Sequence, residues 1–260
     1  TGDGGDEAFG GYGRHRANLL AESFATTLSS DSFRDVVKSL VRSSHGQVGT
    51  VARIKRFIYA ATSTRAERYR SWAGVLSDDL IAEVFPTVTE TDDCVRKMFE
   101  KYRTLDAVDA LLAIDTEFYL PTDLLVKMDI TSMMHSLEAR SPFLDHQLVE
   151  FAAALPSNKK IRRLTTKFIL KRAMRDRVPA EALLRQKRGF AVPIKQWLRG
   201  ELRDVLKDHL LSSEAVADGL IRRGPIDRLV REHLSDMRDW SHQLWTLLML
   251  EMWWRASRAS

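Results

Sequence analysis

From about residue 9 to the C-terminus, apolar residues recur at intervals of three and four and almost never alternate, which confines the chain to helices. Leu105, Val108, Leu111, Leu112, Phe118 and Tyr119 form one such stripe, and Asp115 lies on it as a helix-end or buried polar residue. Leu144, Leu148, Phe151 and Leu155 form another, closed by Pro156. Thr122 or Asp123 can cap a helix running to about residue 137, with Leu124, Leu125, Met128 and Met133 on its apolar side. Near the end, Leu244, Leu247, Leu248 and residues 251–254 read as a long core helix that Ser241 can cap. Alternating β-branched runs are absent beyond a few positions, and prolines at 86, 121, 142, 156, 179, 193 and 225 punctuate helices. Residues 43–49 (SSHGQVG) read as a long loop. The expected fold is mainly α, and joined to a parallel sheet it would become part of an α/β domain.

With 260 residues, 44% hydrophobic and 29% charged, the chain can bury one large core or two small ones. No apolar run is long enough to span a membrane. The single cysteine, Cys94, excludes an internal disulfide framework and fits a reducing cytoplasm. It sits in a polar stretch with no neighbouring histidine to activate it, so it reads as a surface residue. The net charge of +5 raises the question of an anionic partner. Basic residues are densest between positions 159 and 188, most of them expected on solvated helix faces. A nucleic-acid-binding module would need a recognisable platform or motif, and none is present.

The chemistry-bearing pattern is the opening TGDGGDEAFGGY, followed by an expected helix from residue 9 to about 22. Glycines let backbone approach a ligand closely, and helix N-terminal amides favour anions. Asp3, Asp6 and Glu7 would repel a bare phosphate, so the combination points to Mg²⁺ shared between carboxylate and phosphate oxygens. The alternative is a turn with helix-capping acids. GGDEAF also resembles a signature of cyclic-dinucleotide cyclases, but that signature belongs on a β-hairpin and here helices follow. Glu138, Arg140 and Asp145 flank a Pro-Phe turn, which by itself reads as a helix, a turn and a salt bridge. Further on, Arg185, Lys187 and Gly189 lie between helices, where Lys187 can act as a mobile charge toward pyrophosphate.

In order, these blocks are TGDGGDEAFGGY, LPTDLLVKMDITSMMHSLEARSPFLDH, TKFILK and VPAEALLRQKRGFAVPIKQWL, with a weaker tail match at HQLWTLLMLEMWW. Together they resemble the C-terminal part of the synthetase domain of glutamine-hydrolysing asparagine synthetases. The resemblance implies that residues 1–260 are the C-terminal, helical portion of an α/β PP-loop ATPase-like domain. The ATP loop SGGxDS and the N-terminal glutaminase domain are expected outside this chain. On its own the chain would then be inactive.

It further implies an enzyme that uses ATP and Mg²⁺ to adenylate a carboxylate, most simply the aspartate side chain. Ammonia released from glutamine then converts the adenylate to an amide. Carried over residue by residue, Thr1, Gly2 and Gly4 bind the adenylate and Asp3 stands beside the reacting groups. Asp6 ligates magnesium, and Lys187 stabilises charge as pyrophosphate leaves. Glu138, Arg140 and Asp145 build the site. A cytoplasmic protein able to form a homodimer is expected. Thr1 replaces the family's usual serine, Ile130 stands where arginine is frequent and Met134 where alanine is frequent. These departures leave room for a relative that amidates another acceptor, such as a polysaccharide or peptide natural product, or that closes a β-lactam.

Overall fold

The computed structural model describes residues 1–27, 57–87, 93–185 and 192–259. Among them the structure is helices and turns, and the sole β feature is an isolated bridge between Arg162 and Thr165. The mainly α expectation therefore holds. The chain divides into two compact units, one drawn from residues 1–34, 61–66 and 94–189, the other from residues 35–60, 67–93 and 190–260.

The first unit opens with α1 (Gly5–Phe9) and α2 (Gly13–Thr27). The helix expected from residue 9 thus begins at Gly13, and residues 5–9 form a short helix of their own. Gly10, with φ of 71°, takes the left-handed conformation and ends α1, so the chain turns before α2 begins. α2 packs on α3 (Ala107–Ile114), where Val108 and Leu112 bury against Ile161 and Leu19. Asp106 caps α3 by accepting from the amides of Val108 and Asp109.

Past α3 the helix does not stop. It widens into a π-helical segment, Asp115–Leu125, and resumes as α4 (Val126–Met133). Thr122 and Asp123 were expected to start a helix but lie inside this segment. The Thr122 hydroxyl donates back to the Phe118 carbonyl at 2.6 Å, a bond made within a continuing helix. Pro121 sits in the segment as well, and the wider coil accommodates a residue with no N–H to give. A 3₁₀ turn (Pro142–Leu144), α5 (His146–Ala154) and α6 (Phe168–Ala173) complete the parts that matter below.

The second unit builds its core from α7 (Ile194–Arg199), α8 (Arg203–Leu210), α9 (Glu214–Ala217), α10 (Arg223–Leu234) and α11 (Ser241–Arg258). The helix Asp78–Val84 joins them. Leu198, Leu206, Leu210, Leu229, Leu244 and Leu247 are fully buried, each contributing about 1.5–3 kcal/mol. Ser241 begins α11 but does not cap it. Its own amide donates to Asp239 Oδ1 at 3.0 Å, so the acid two residues earlier serves the helix start. Glu251, on the core face of α11, is wholly buried, and its carboxylate accepts from Ser213 Oγ and from the amides of Glu214 and Ala215. It thereby caps α9 from another helix.

Candidate functional site

The opening residues lie in the first unit, with α1 packed against α3, α5, α6, the π segment and the 3₁₀ turn. Gly4 and Gly5 permit that packing. A Cβ on Gly4 would fall 2.3 Å from Leu144 Cδ2, and Gly4 also takes a left-handed φ of 83°. A Cβ on Gly5 would press on the Phe143 ring at 3.2 Å. Gly2 has open space around it. Ahead of α1 the chain runs beside residues 140–141: the Thr1 nitrogen donates to the Arg140 carbonyl at 2.7 Å, and Ser141 Oγ donates to the Asp3 carbonyl at 2.5 Å.

Two clefts result, and consecutive residues of the 3₁₀ turn wall them: Leu144 lines one and Phe143 the other. The first, about 470 Å³, gathers Thr1, Asp3 and Glu138 with Ser132 and Ser141. Its apolar wall comes from α4 and the end of the π segment. The second, about 650 Å³, holds Asp6, Thr166, Lys167, Lys171 and Arg185 against an apolar wall that includes Leu170 and Met174.

Asp6 is buried, and its Oδ1 stands 2.8 Å from Lys167 Nζ. Two backbone features make this pair possible. Lys167 holds a left-handed φ of 53° at the start of α6. Gly11 leaves room for both partners, since a Cβ there would lie 1.7 Å from Asp6 Oδ1 and 2.4 Å from Lys167 Cε. Among the described residues no cluster of three His, Cys, Asp or Glu side chains could hold a metal. One carboxylate among cations and a hydroxyl fits a metal shared with phosphate oxygens, because Mg²⁺ keeps few protein ligands.

The first unit also holds a buried polar assembly. Asp115, the first residue of the π segment and wholly buried, accepts from His15 Nε2 at 2.6 Å and pairs with Arg14 at 3.0 Å. The Arg14 guanidinium lies 4.0 Å from the centroid of the Tyr12 ring and 4.6 Å from that of Tyr119. Tyr12 donates its hydroxyl to buried Glu7. Burial first, and then the Glu7 carboxylate, push the Tyr12 phenol above its ordinary range. Burial and the nearby Asp123 charge do the same to Tyr119. These groups are held for position, tying the N-terminus of α2 to the start of the π segment.

Of the residues singled out from sequence, Thr1, Asp3 and Glu138 share one cleft and Asp6 faces the other. Glu138 and Arg140 form an exposed ion pair of 2.9 Å. Asp145 caps α5, accepting from the amides of Gln147 and Leu148. Lys187 and the 43–49 loop lie outside the described residues. Most described cations of the basic stretch are exposed as expected, but Lys160 is not. It is buried and bonds Asp109 at 2.8 Å. Sequence reasoning gave no individual role to Lys167 or Gly11, though both lie in blocks that carry the resemblance, and did not foresee the Arg14, His15 and Asp115 assembly. Asp115 alone left a signal, as an acid on an apolar stripe.

The mainly helical structure, with its family match, makes this the helical part of a synthetase domain of the PP-loop ATPase-like fold. The asparagine synthase family model matches residues 1–255, and the chain belongs to that family. It is 35% identical over 262 residues to a "Putative asparagine synthetase [glutamine-hydrolyzing]" of Mycobacterium tuberculosis (strain ATCC 25618 / H37Rv), covering 97% of this chain and 38% of that protein. It is 27% identical over 257 residues to "Asparagine synthetase [glutamine-hydrolyzing] 1" of Bacillus subtilis (strain 168), covering 97% and 39%. With "Amidase chyE" of Penicillium rubens the identity is 26% over 251 residues, covering 83% and 35%. The chain thus spans under two-fifths of the length of these relatives. No solved structure matches it. No helix among the described residues is long and apolar enough to cross a membrane.

Proposed function

We propose that the full-length protein containing this chain is a cytoplasmic ATP-dependent amidotransferase. An acceptor carboxylate oxygen attacks the α-phosphorus of ATP, the α–β phosphoanhydride bond breaks, and pyrophosphate leaves. Ammonia, released from glutamine by a glutaminase domain, attacks the acyl carbon, AMP leaves with the bonding electrons, and the nitrogen gives up a proton. The observation that carries this reading is the pairing of two clefts across one glycine-rich turn, one cation-rich and one acidic and apolar.

The cation-rich cleft suits the triphosphate. Lys167, Lys171 and Arg185 offer charge, Thr166 a hydroxyl, and Asp6 the carboxylate that would hold magnesium. When bound, Mg²⁺ neutralises charge on the phosphates and so eases departure of pyrophosphate. Lys187 lies outside the described residues, and the family resemblance gives it the role of stabilising charge as pyrophosphate departs. Thr1, Gly2 and Gly4 hold the adenylate beside the turn, and Asp3 faces the acceptor. Glu138, Arg140 and Asp145 fix the architecture, Asp145 through its cap on α5. The relatives' names give asparagine synthesis as their activity, and asparagine is the amide of aspartate, which makes aspartate the first acceptor to assay. A second reading, amidation of another carboxylate, is favoured by the lining of the acidic cleft.

The test is carboxylate-dependent formation of AMP and pyrophosphate from ATP by the full-length protein. Asp6→Asn is expected to lower that rate at least about a hundredfold. Undiminished AMP formation by the variant would remove Asp6 from the phosphate site.

A further inference from the structure

We infer that the acceptor is a monocarboxylate on an apolar body that carries a cationic group, and not a small dicarboxylate such as free aspartate. The inference rests on the amidotransferase reading and assigns the substrate class of its acceptor cleft. Three carboxylates, from Asp3, Asp129 and Glu138, line that cleft, and among its described lining residues there is no lysine or arginine. The nearby Arg140 guanidinium is already paired with Glu138, and its side chain is 81% exposed. The apolar wall comes chiefly from Leu125, Met128 and Met133.

An acceptor spends one carboxylate in the chemistry, where the phosphate-side cations and the forming acyl bond deal with its charge. A second, spectator carboxylate remains charged throughout and needs a cation or a set of amides to hold it. With Glu138 matched by Arg140, it is still repelled by Asp3 and Asp129, whereas an ammonium group finds partners there. The wall argues the same way. A volume of about 470 Å³ lies in the ~300–1,000 Å³ range of pockets that enclose drug-sized ligands. Thioethers at two positions let the wall mould itself to a flexible aliphatic body.

The experiment measures acceptor-dependent AMP formation by the full-length protein with L-aspartate, ε-aminocaproate and caproate as probes. ε-Aminocaproate is expected to exceed aspartate in kcat/KM by about tenfold or more, with caproate between them. Asp129→Asn should bring the ratio of ε-aminocaproate to caproate toward one, because it removes charge from the cleft and leaves its shape. Met133→Arg, at an exposed position on α4, should raise aspartate relative to ε-aminocaproate by about tenfold. Preference for aspartate in the unmodified protein, or a ratio unmoved by Asp129→Asn, would overturn the inference and leave the amidotransferase reading standing. Failure of every probe, together with many other carboxylates, to elicit AMP would instead overturn that reading and this inference with it.

Discussion

Replacing Gly11 by alanine should break the ion pair at the heart of the phosphate-side cleft. The added methyl would sit 1.7 Å from Asp6 Oδ1, 2.7 Å from Asp6 Cγ and 2.4 Å from Lys167 Cε. Asp6 is a short side chain on a packed helix and cannot swing away as a lysine can, so the carboxylate must leave Nζ or the backbone must move. Overpacking of this kind costs about 1–3 kcal/mol. Stranding a carboxylate that is only 7% exposed costs more, about 3–5 kcal/mol if no relief is found. Lys167, at 25% side-chain exposure, can follow part of the way, which sets the expectation for Gly11→Ala at about 2–4 kcal/mol. All six tryptophans, at positions 72, 197, 240, 245, 253 and 254, belong to the second unit, so fluorescence reports that unit alone. Amide hydrogen exchange in α1 and α2 is the assay for the first, and it should quicken roughly 30- to 1,000-fold in the variant. Gly13→Ala is the control, since a Cβ there meets nothing within 4 Å and the change should stay within about 0.5 kcal/mol. Asp6→Ala should relieve the clash, so the double variant Asp6→Ala/Gly11→Ala should show a coupling of about 1–3 kcal/mol. Exchange no faster in Gly11→Ala than in Gly13→Ala, or strict additivity in the cycle, would refute the reasoning.

Two further outcomes concern the helix caps. Glu251→Gln should destabilise the second unit by about 1.5–3 kcal/mol in denaturant unfolding followed by tryptophan fluorescence, because charge-assisted bonds to Ser213 and two amides are lost. Burial alone would raise this carboxyl, but hydrogen bonds from Ser213, Arg255 and those amides outweigh it and hold the group below the usual carboxylate range. Its contribution is therefore complete above the ordinary glutamate value near 4.5 and disappears as pH falls through the depressed one. Glu251→Gln should remove that part of the acid sensitivity, and an unchanged acid limb would count against the cap. Asp145→Ala should cost about 1 kcal/mol by exposing two amides of α5, visible as faster exchange at the start of that helix.

Helical periodicity alone settled the class of fold, because a stripe of apolar residues at three and four can be buried only by a helix. Local chemistry also marked the turn around Gly4, the surface position of Cys94 and the punctuation by Pro142 and Pro156. The π segment escaped it. Thr122 and Asp123 look like caps in sequence, and only the continuous packing of residues 107–133 keeps them inside a helix. The candidate site divides in the same way. A run of glycines and acids announces close backbone approach and negative charge, but not which partner neutralises each acid. Lys167 lies 161 positions from Asp6 and looks like any other cation of a basic stretch, and His15 lies 100 from Asp115. Contacts at such separations depend on how helices stack, and no local propensity encodes them. Sequence by itself determined the helices and the residue types the chemistry needs. The tertiary structure decided which charges face one another, because burial turns a distant pairing into the cheapest way to keep a charge out of water.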